Sequence, residues 1–266
     1  MLKLYNAGTS VCSVKVRLGL AEKGIEWEDV LLVLPKDEQF DPEYLKLNAN
    51  GVVPTLVHDD LVITESSIIL EYIDTLDASS RLMPQDTASI LTTKLWLLRC
   101  LDIHSAVNTL TFSTVKRDSI LANQSPDQIQ ASIAKMPNPK MADKRRDLLK
   151  NGVNSSHVVA DFFTLKRTFD DMQRALEKTE WLTGDQYGLA DVALTSYVDR
   201  LDHLGCSGLW EERTPLVGSW LNAARQRPNY SRAMERYLAP NEVENTQEAG
   251  KAHWPKVRDL WAEFVS

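Results

Sequence analysis

Apolar and polar positions divide the chain into a short segment of mixed pattern and a long segment of helical pattern. In the first segment, short apolar runs predict strands at residues 1–6, 25–33, 54–58 and 61–64. Helical spacing predicts one helix that follows residue 10 and ends at Lys23-Gly24, a second at 41–47 and a third that ends near residue 77. The predicted order of elements in this segment is therefore strand, helix, strand, helix, a pair of adjacent strands, and a final helix.

The remainder of the chain carries helical patterns and no strong strand pattern. Apolar residues recur every three or four positions in residues 90–115, 158–176 and 257–265, and residues 189–204 are apolar on most sides, as in a buried central helix. Shorter helices are predicted at 125–135, 220–227 and 231–238, and residues 77–86 have the composition of a linker. The fold class expected is α/β plus all-α, with a thioredoxin-like domain at 1–78 and an all-helical domain at 87–266.

Composition narrows the class of protein. A chain of 266 residues that is 43% hydrophobic can bury a large core, and its net charge of −7 argues against nucleic acid as a partner. No apolar run is long enough for a membrane span. The three widely spaced cysteines indicate neither a disulfide framework nor a metal site. We therefore expect a cytoplasmic protein with no metal and no membrane partner.

Two features between residues 50 and 70 indicate a binding site. Pro54 opens a strand although it has no N–H to donate, and a cis bond before it would leave the backbone N–H and C=O of Val53 free for a ligand. Glu65 and Ser66 stand where a helix begins, so that exposed N–H groups and the positive end of the helix dipole can receive a carboxylate. Together the two features suit a peptide-like ligand that carries an acid, although an ordinary hairpin followed by a capped helix also fits this pattern.

The pairing of Val53-Pro54 with Glu65-Ser66 resembles the glutathione-binding half of the soluble glutathione transferases. In that family the cis-proline strand holds the cysteinyl backbone of glutathione and the acidic residue and serine hold its γ-glutamyl group. The family usually reads Asn-Pro-x-Gly-x-Val-Pro before the strand, and this chain has Ala49 in place of the first proline. The resemblance implies glutathione as co-substrate, a hydrophobic or aromatic second substrate, and a homodimer.

The start of the first helix supplies three candidate catalytic residues, Ser10, Cys12 and Ser13. A hydroxyl at a helix N-terminus can donate to a thiolate and, with the dipole, lower the pKa of a bound thiol. A serine there is more often a helix cap. A cysteine in the same place can itself be an acidic thiol, and the lack of a Cys-x-x-Cys pair excludes a dithiol mechanism.

Two branches of the family resemble this segment differently. Residues 10–17 are similar to the Ser-Ser-Cys-x-x-Arg-Val-Arg box of the zeta class, which would make Ser10 catalytic, although Val11 replaces the second serine. The bacterial β-aryl-etherases of lignin breakdown align without gaps over residues 2–24 and would make Ser13 the residue that faces the thiol. Residues 135–152 also resemble the etherase-like branch. We therefore expect Ser13 to be the main donor, with Ser10 second.

The second substrate is expected between the first helix and the helix at residues 90–115, where His104 and Asn108 lie. A lone histidine is more often structural, so its role stays open. The apolar stripe of residues 90–101, with Trp96, is the expected dimer contact. The run Lys144-Arg145-Arg146 is typical of a solvated helix face and could also steer an anionic substrate.

The expected activity is that of a glutathione transferase, in which the glutathione thiolate attacks an electrophilic carbon and displaces a leaving group, a phenolate in the etherase-like version. Three alternatives stand beside it. A zeta-like isomerase or dehalogenase would rely on Ser10, a glutathione thiol transferase would rely on Cys12, and a non-catalytic ligand carrier would keep the fold without activating a thiolate. A detoxifying role is implied only by the family resemblance.

Overall fold

The computed structural model describes residues 1–266, except for the side chain of Ser79. Residues 1–75 form a four-stranded sheet and three helices. The strands are β1 (Leu2–Asn6), β2 (Glu28–Leu31), β3 (Thr55–His58) and β4 (Leu61–Ile63), and the helices are α1 (Val11–Glu22), α2 (Pro42–Leu47) and α3 (Ser66–Thr75). The strand order is β2-β1-β3-β4, with β1 and β2 parallel and the other two pairs antiparallel. This arrangement confirms the predicted thioredoxin-like fold.

The rest of the chain is helical. Its longer helices are α4 (Thr87–Ser113), α5 (Val115–Asn123), α6 (Pro126–Ala134), α7 (Pro139–Asn151), α8 (Ser156–Leu176) and α9 (Leu189–His203). Four more follow, α10 (Leu216–Arg225), α11 (Pro228–Met234), α12 (Glu242–Lys251) and α13 (Trp254–Val265). None of the helices described is long and apolar enough to cross a membrane.

Three predicted elements differ from the structure. Strand β2 is four residues long rather than nine, and the helix predicted to run to residue 115 breaks at Thr114, beyond which α5 continues in a new direction. The segment between the helices predicted at 231–238 and 257–265, for which no helix is predicted, contains α12, which packs on α9 and α5. Helix α12 has few apolar residues, so its sequence carries almost no periodic signal.

Helix α1 lies between the sheet and the helical part of the chain. Val16 and Leu20 pack in the core that lines the sheet, whereas Val14 and Leu18 pack in the larger core built from α4, α8 and α9. At Gly19 a Cβ atom would stand 2.4 Å from a methyl carbon of Leu70, so only glycine lets α1 approach α3 so closely. The N-terminus of α1 is therefore fixed from both sides.

Candidate active site

Ser10 caps α1. Its backbone is extended, and its Oγ accepts a hydrogen bond of 3.4 Å from the N–H of Ser13. This bond satisfies one of the N–H groups that the first turn of a helix leaves without a partner. Ser10 remains partly exposed. It therefore caps the helix and is still accessible to a ligand.

The structure does not support Ser13 as the residue that faces the thiol. Its side chain is fully buried, and its Oγ accepts a hydrogen bond of 3.2 Å from the N–H of Ala7 in the loop between β1 and α1. Ser13 therefore points into the protein and closes that loop. The expectation rested on aligned position, and the rotation of about 100° per residue along a helix turns Ser13 away when Cys12 faces outwards.

Cys12 faces the site, where three elements meet. Its sulfur lies 3.4 Å from Nδ1 of His104 on α4 and 3.9 Å from the hydroxyl of Tyr197 on α9. The rings of His104 and Tyr197 are 6.1 Å apart, centroid to centroid. His104 is therefore the partner of a cysteine, a contact that neither residue reveals in the sequence because they are 92 positions apart.

The surroundings of Cys12 make its thiol acidic. Burial by itself raises the pKa of this thiol, but the charge and hydrogen bond of His104, the charge of Lys15 and an interaction with the Ser66 hydroxyl outweigh it and lower the pKa from 9.0 to about 6. The pKa of His104 shifts upwards, because the charge and hydrogen bond of Cys12 outweigh the effect of its burial. The two opposite shifts favour a thiolate on Cys12 paired with a protonated His104.

Lys15 and Ser67 lie on the buried side of Cys12 and His104, where Lys15 contributes a positive charge. Lys15 is fully buried, and its ammonium donates 2.7 Å to the hydroxyl of Ser67, which in turn donates 2.9 Å to the carbonyl of Leu97. The same ammonium lies 5.6 Å from the centre of the Tyr197 ring. A buried cation one turn along α1 from Cys12 is a functional feature that sequence reasoning missed, since lysine is usually exposed.

Arg17 holds the loop that precedes Cys12. Its guanidinium is buried and donates to the side chain of Asn6 (2.8 Å), to the carbonyls of Ala7 (3.2 Å) and Gly8 (2.7 Å), and to that of Ala233 (2.9 Å). The bond to Ala233 ties the loop to α11. Burial lowers the pKa of Arg17 to about 10, so the network of acceptors is needed to keep the charge in place.

The residues predicted to bind glutathione lie at the ends of β3 and α3. The Val53-Pro54 bond is cis, as expected. The loop before it closes without the proline of the family motif, because the Asn48 side chain and the Tyr44 hydroxyl both donate to the carbonyl of Val52, at 3.0 and 2.6 Å. The departure at Ala49 therefore leaves the loop intact.

Glu65 and Ser66 form the start of α3. Glu65 has a left-handed backbone with φ of 63°, and no side chain of the described residues caps the helix. The uncapped N–H groups and the helix dipole are therefore available to an anion beside Cys12. This arrangement fits the γ-glutamyl carboxylate of glutathione.

Asn108 lies one turn beyond His104 on α4, and both side chains are half-buried. Phe112 follows one further turn along the same face. Trp96 lies in the main core, where the guanidinium of Arg99 covers its ring at 4.5 Å, so its side chain is not part of the exposed stripe of α4. The described residues contain no cluster of side chains that could hold a metal ion.

Two family models match the chain. The N-terminal domain of glutathione S-transferase matches residues 1–75, and the C-terminal domain of glutathione S-transferase matches residues 164–223. Fold and site thus define a glutathione transferase, an enzyme that uses glutathione as co-substrate. The chain belongs to the glutathione S-transferase family.

Several relatives share much of the chain. Protein LigF of Sphingobium sp. is 28% identical over 245 residues, which cover 88% of this chain and 93% of that protein. The crystal structure of the beta-etherase LigF matches with a TM-score of 0.77 and 27% identity, covering 88% of this chain and 99% of that one. A tetrachloro-p-hydroquinone reductive dehalogenase of Sphingobium chlorophenolicum is 25% identical over 86% of this chain and 97% of that protein.

A zeta-class glutathione S-transferase of Euphorbia esula is 44% identical over 85 residues, or 32% of this chain and 38% of that protein. Both branches that the first helix resembles are therefore represented among the relatives. The β-etherase matches across the two parts of the fold, whereas the zeta enzyme matches over a shorter stretch.

Proposed function

We propose that this glutathione transferase works through the thiolate of Cys12, as a glutathione-dependent thiol transferase. The observation that carries the proposal is the contact of 3.4 Å between the Cys12 sulfur and His104, together with a thiol pKa of about 6. At neutral pH a thiol of this acidity is mostly thiolate, the form that attacks sulfur. The burial of Ser13 supports the choice of Cys12 over Ser13 as the reacting group.

The proposed reaction has two exchanges. The Cys12 thiolate attacks the glutathione sulfur of a mixed disulfide, forms a new S–S bond and releases the other partner as a thiolate. A second glutathione, as its thiolate, then attacks the disulfide at Cys12, which releases glutathione disulfide and restores the Cys12 thiolate. Each exchange forms one S–S bond and breaks one. In the net reaction the incoming glutathione thiolate is oxidised to one half of glutathione disulfide, and the other partner of the mixed disulfide leaves as the reduced thiolate.

We propose that residues 1–78 hold glutathione and that residues 87–266 provide the site for the second substrate. Val53 would bind the cysteinyl backbone, and the start of α3 at Glu65 and Ser66 would bind the γ-glutamyl carboxylate. Ser66 also interacts with the Cys12 sulfur, so a γ-glutamyl group bound there would bring the glutathione sulfur towards Cys12. His104 and Asn108 would face the second substrate.

Glutathione-dependent cleavage of a β-aryl ether is the second candidate function. The similarity to LigF along 93% of that protein favours it. In this version the glutathione thiolate attacks the carbon that bears the ether oxygen and displaces a phenolate, and the partly exposed Ser10 is the hydroxyl left to assist it. Such a protein would act in lignin breakdown. The name of the S. chlorophenolicum relative indicates dehalogenation by that protein, which is the reaction of the zeta-like alternative.

We also propose that the protein is a cytoplasmic homodimer. An exposed stripe on one face of α4 supports the dimer, with four leucines more than half exposed: Leu91, Leu95, Leu98 and Leu101. Exposed leucines at this helical spacing are costly in water unless a partner covers them.

The test compares three single variants, Cys12→Ala, Ser10→Ala and Ser13→Ala, on two substrates. The substrates are the mixed disulfide of glutathione with 2-hydroxyethanethiol and a β-aryl ether ketone, each with glutathione in excess. We expect Cys12→Ala to lower kcat for the disulfide by about a thousandfold, since it removes the nucleophile, while Ser10→Ala changes kcat less than about threefold.

The Ser13→Ala variant distinguishes a structural role from a catalytic one. We expect it to lower the melting temperature and leave the pKa of Cys12 unchanged, because its hydroxyl binds the loop. If Cys12→Ala keeps full activity on the disulfide, the thiol-transfer proposal is wrong. If the wild type instead cleaves the ether, and Ser10→Ala alone abolishes that cleavage, the second candidate replaces it.

A further inference from the structure

We infer that the second substrate carries an anionic group, bound by a cluster of three cations that we call the cationic cluster: Lys116, Arg145 and Arg200. This inference rests on the proposed position of the second substrate between α1 and α4. The chemical class is an aromatic molecule with a carboxylate, phenolate or sulfonate placed away from the atom that reacts. Neither the family models nor the names of the relatives assign such a group.

The cluster lies at the far end of the face of α4 that begins at the cysteine. His104, Asn108 and Phe112 are each four residues apart and lie on one side of that helix. At a rise of about 1.5 Å per residue, Phe112 stands about 12 Å beyond His104 along the helix. That distance matches a molecule of two aromatic rings with its reacting end at Cys12.

Arg145 is a cation without an anion. Its guanidinium lies 3.2 Å from the centre of the Phe112 ring, and burial lowers its pKa to about 10. Among the side chains that the structure describes, none forms an ion pair or hydrogen bond with it. Its neighbours differ, since Lys144 pairs with Asp161 at 2.9 Å and Arg146 pairs with Asp143. A partly buried charge with no counter-charge is costly, and a bound anion would reduce that cost.

Arg200 repeats this pattern on α9. It lies three residues after Tyr197, on the same side of the helix, and one of its terminal nitrogens donates to the carbonyl of Thr9 in the loop before Cys12. Its Nε atom is buried with no acceptor among the described residues. Burial lowers the pKa of Arg200 in spite of the nearby acids Asp199 and Glu242.

Lys116 joins the other two cations. Burial lowers the pKa of its ammonium, and the charges of Arg200 and Arg145 lower it further, so Lys116 lies within range of the charge of each of the other two cations. Glu242 is the acid that opposes them. Like charges held together in a partly buried region repel, and this repulsion also favours a bound anion.

Other acids on the surrounding helices have partners of their own. Asp161 on α8 binds Lys144 at 2.9 Å, and Asp118 on α5 binds His253 at 2.7 Å. Asp199 on α9 accepts from Arg225 and from the hydroxyl of Tyr230, both at 2.8 Å. Although the whole protein carries a net charge of −7, these acids are engaged by other groups and do not pair with the cations of the cluster.

The experiment compares an acid with its neutral amide. Biphenyl-4-carboxylate and biphenyl-4-carboxamide have the same rings and length, and isothermal titration calorimetry gives their affinities in the presence of saturating glutathione. We expect the wild type to bind the carboxylate at least tenfold more tightly than the amide, because a charge-assisted hydrogen bond contributes this much. Arg145→Met should abolish the difference, and raising the salt concentration should reduce it.

Arg146→Met is the matched control, since Arg146 is the next residue on α7, is exposed and pairs with Asp143. It should keep the tenfold preference. Equal binding of acid and amide by the wild type, or an unchanged preference in Arg145→Met, would overturn the inference. If Arg145→Met weakens glutathione instead of the carboxylate, the cluster belongs to the glutathione site and the inference is wrong.

The same titration separates this inference from the proposed function. Cys12→Ala should keep the preference for the carboxylate, because the cationic cluster does not include the thiol. If the wild type prefers the carboxylate but its activity does not depend on Cys12, the anion site is supported and the thiol-transfer proposal is wrong.

Discussion

Among the individual residues, the pair of Cys12 and His104 has the clearest chemical meaning. A thiol at the second position of a helix gains from the dipole, and here a histidine 3.4 Å away adds a charge and a hydrogen bond. Those effects are large enough to overcome burial, which alone raises the pKa of the thiol. In the proposed mechanism the site is therefore organised around a sulfur anion that the protein itself provides.

The acidity of Cys12 can be measured by alkylation with iodoacetamide as a function of pH. In the wild type the rate should rise through pH 6 and level off, because only the thiolate reacts and the pKa of the thiol is about 6. His104→Ala should move the midpoint to pH 9 or above, since burial then dominates. At pH 7 the rate should fall roughly tenfold to a hundredfold.

Asn108→Ala is the control for that experiment, because Asn108 lies on the same face of α4 one turn away. Its midpoint should stay at about 6. Cys100 and Cys206 are buried and should not react in the folded protein, which Cys12→Ser can verify by showing no labelling. A midpoint that stays near 6 in His104→Ala would show that the helix dipole and Lys15 lower the pKa without the histidine.

Among the elements, α9 shows how a central helix begins inside a core. Its first turn is bound by the carboxylate of Asp191, which accepts from the N–H of Gly188 at 3.0 Å, from that of Leu182 at 3.0 Å, and from the indole of Trp220 at 2.8 Å. Gly188 at the cap position has no side chain to help. Asp191 therefore connects α9 to the preceding loop and to α10.

Asp191→Ala should destabilise the fold by about 3 kcal/mol or more, because it leaves three buried donors without an acceptor. Urea denaturation measures the loss. Asp185→Ala is the matched control, since Asp185 is an exposed acid in the same loop, and its effect should stay within about 0.5 kcal/mol. Equal stability of the two variants would mean that the carboxylate does not contribute through these bonds.

At the scale of the whole molecule, the unexplained feature is the leucine stripe of α4. The opposite face of the same helix already packs Trp96, Leu97 and Cys100 into the core. The exposed leucines therefore cannot be buried by rotating α4 within the monomer, because that rotation would expose the core residues. Ile68 on α3 is also more than half exposed. The last helix of the thioredoxin-like part and the first helix of the helical part thus both present apolar surface to the solvent.

If the stripe is the dimer contact, Leu98→Asp should produce a monomer. Leu98 is 67% exposed, and a carboxylate there would be buried against a leucine stripe in the dimer, which should weaken association at least a hundredfold. Sedimentation velocity over a range of concentrations measures the change. Leu121→Asp, at an exposed leucine of α5, should leave the dimer unchanged. A wild type that sediments as a monomer would contradict the proposal directly.

Much of the fold follows from local patterns in the sequence. The alternation of strands and helices up to residue 77, the cis bond at Pro54, and the start of α9 at Gly188 and Asp191 depend on residues close together in the chain. Periodicity identified α4, α8 and α9 because each buries a wide apolar face. It missed α7 and α12, which contact their neighbours through few apolar side chains.

The direction of each side chain at the start of α1 is what only the tertiary structure decided. Ser10, Cys12 and Ser13 are all plausible ligands of a thiol in one dimension, and the packing of α1 between the sheet and α9 selects the one that faces His104. The burial of Lys15 and Arg17 depends on acceptors in distant loops and helices.

The sequence by itself thus determined the class of protein and predicted a place for its co-substrate, because those features are encoded over a few neighbouring residues. The tertiary structure decided which sulfur or oxygen faces the reaction, and which basic residues lack an acid. Both depend on the rotation of packed helices about their axes, and that rotation is set by contacts between residues far apart in the chain.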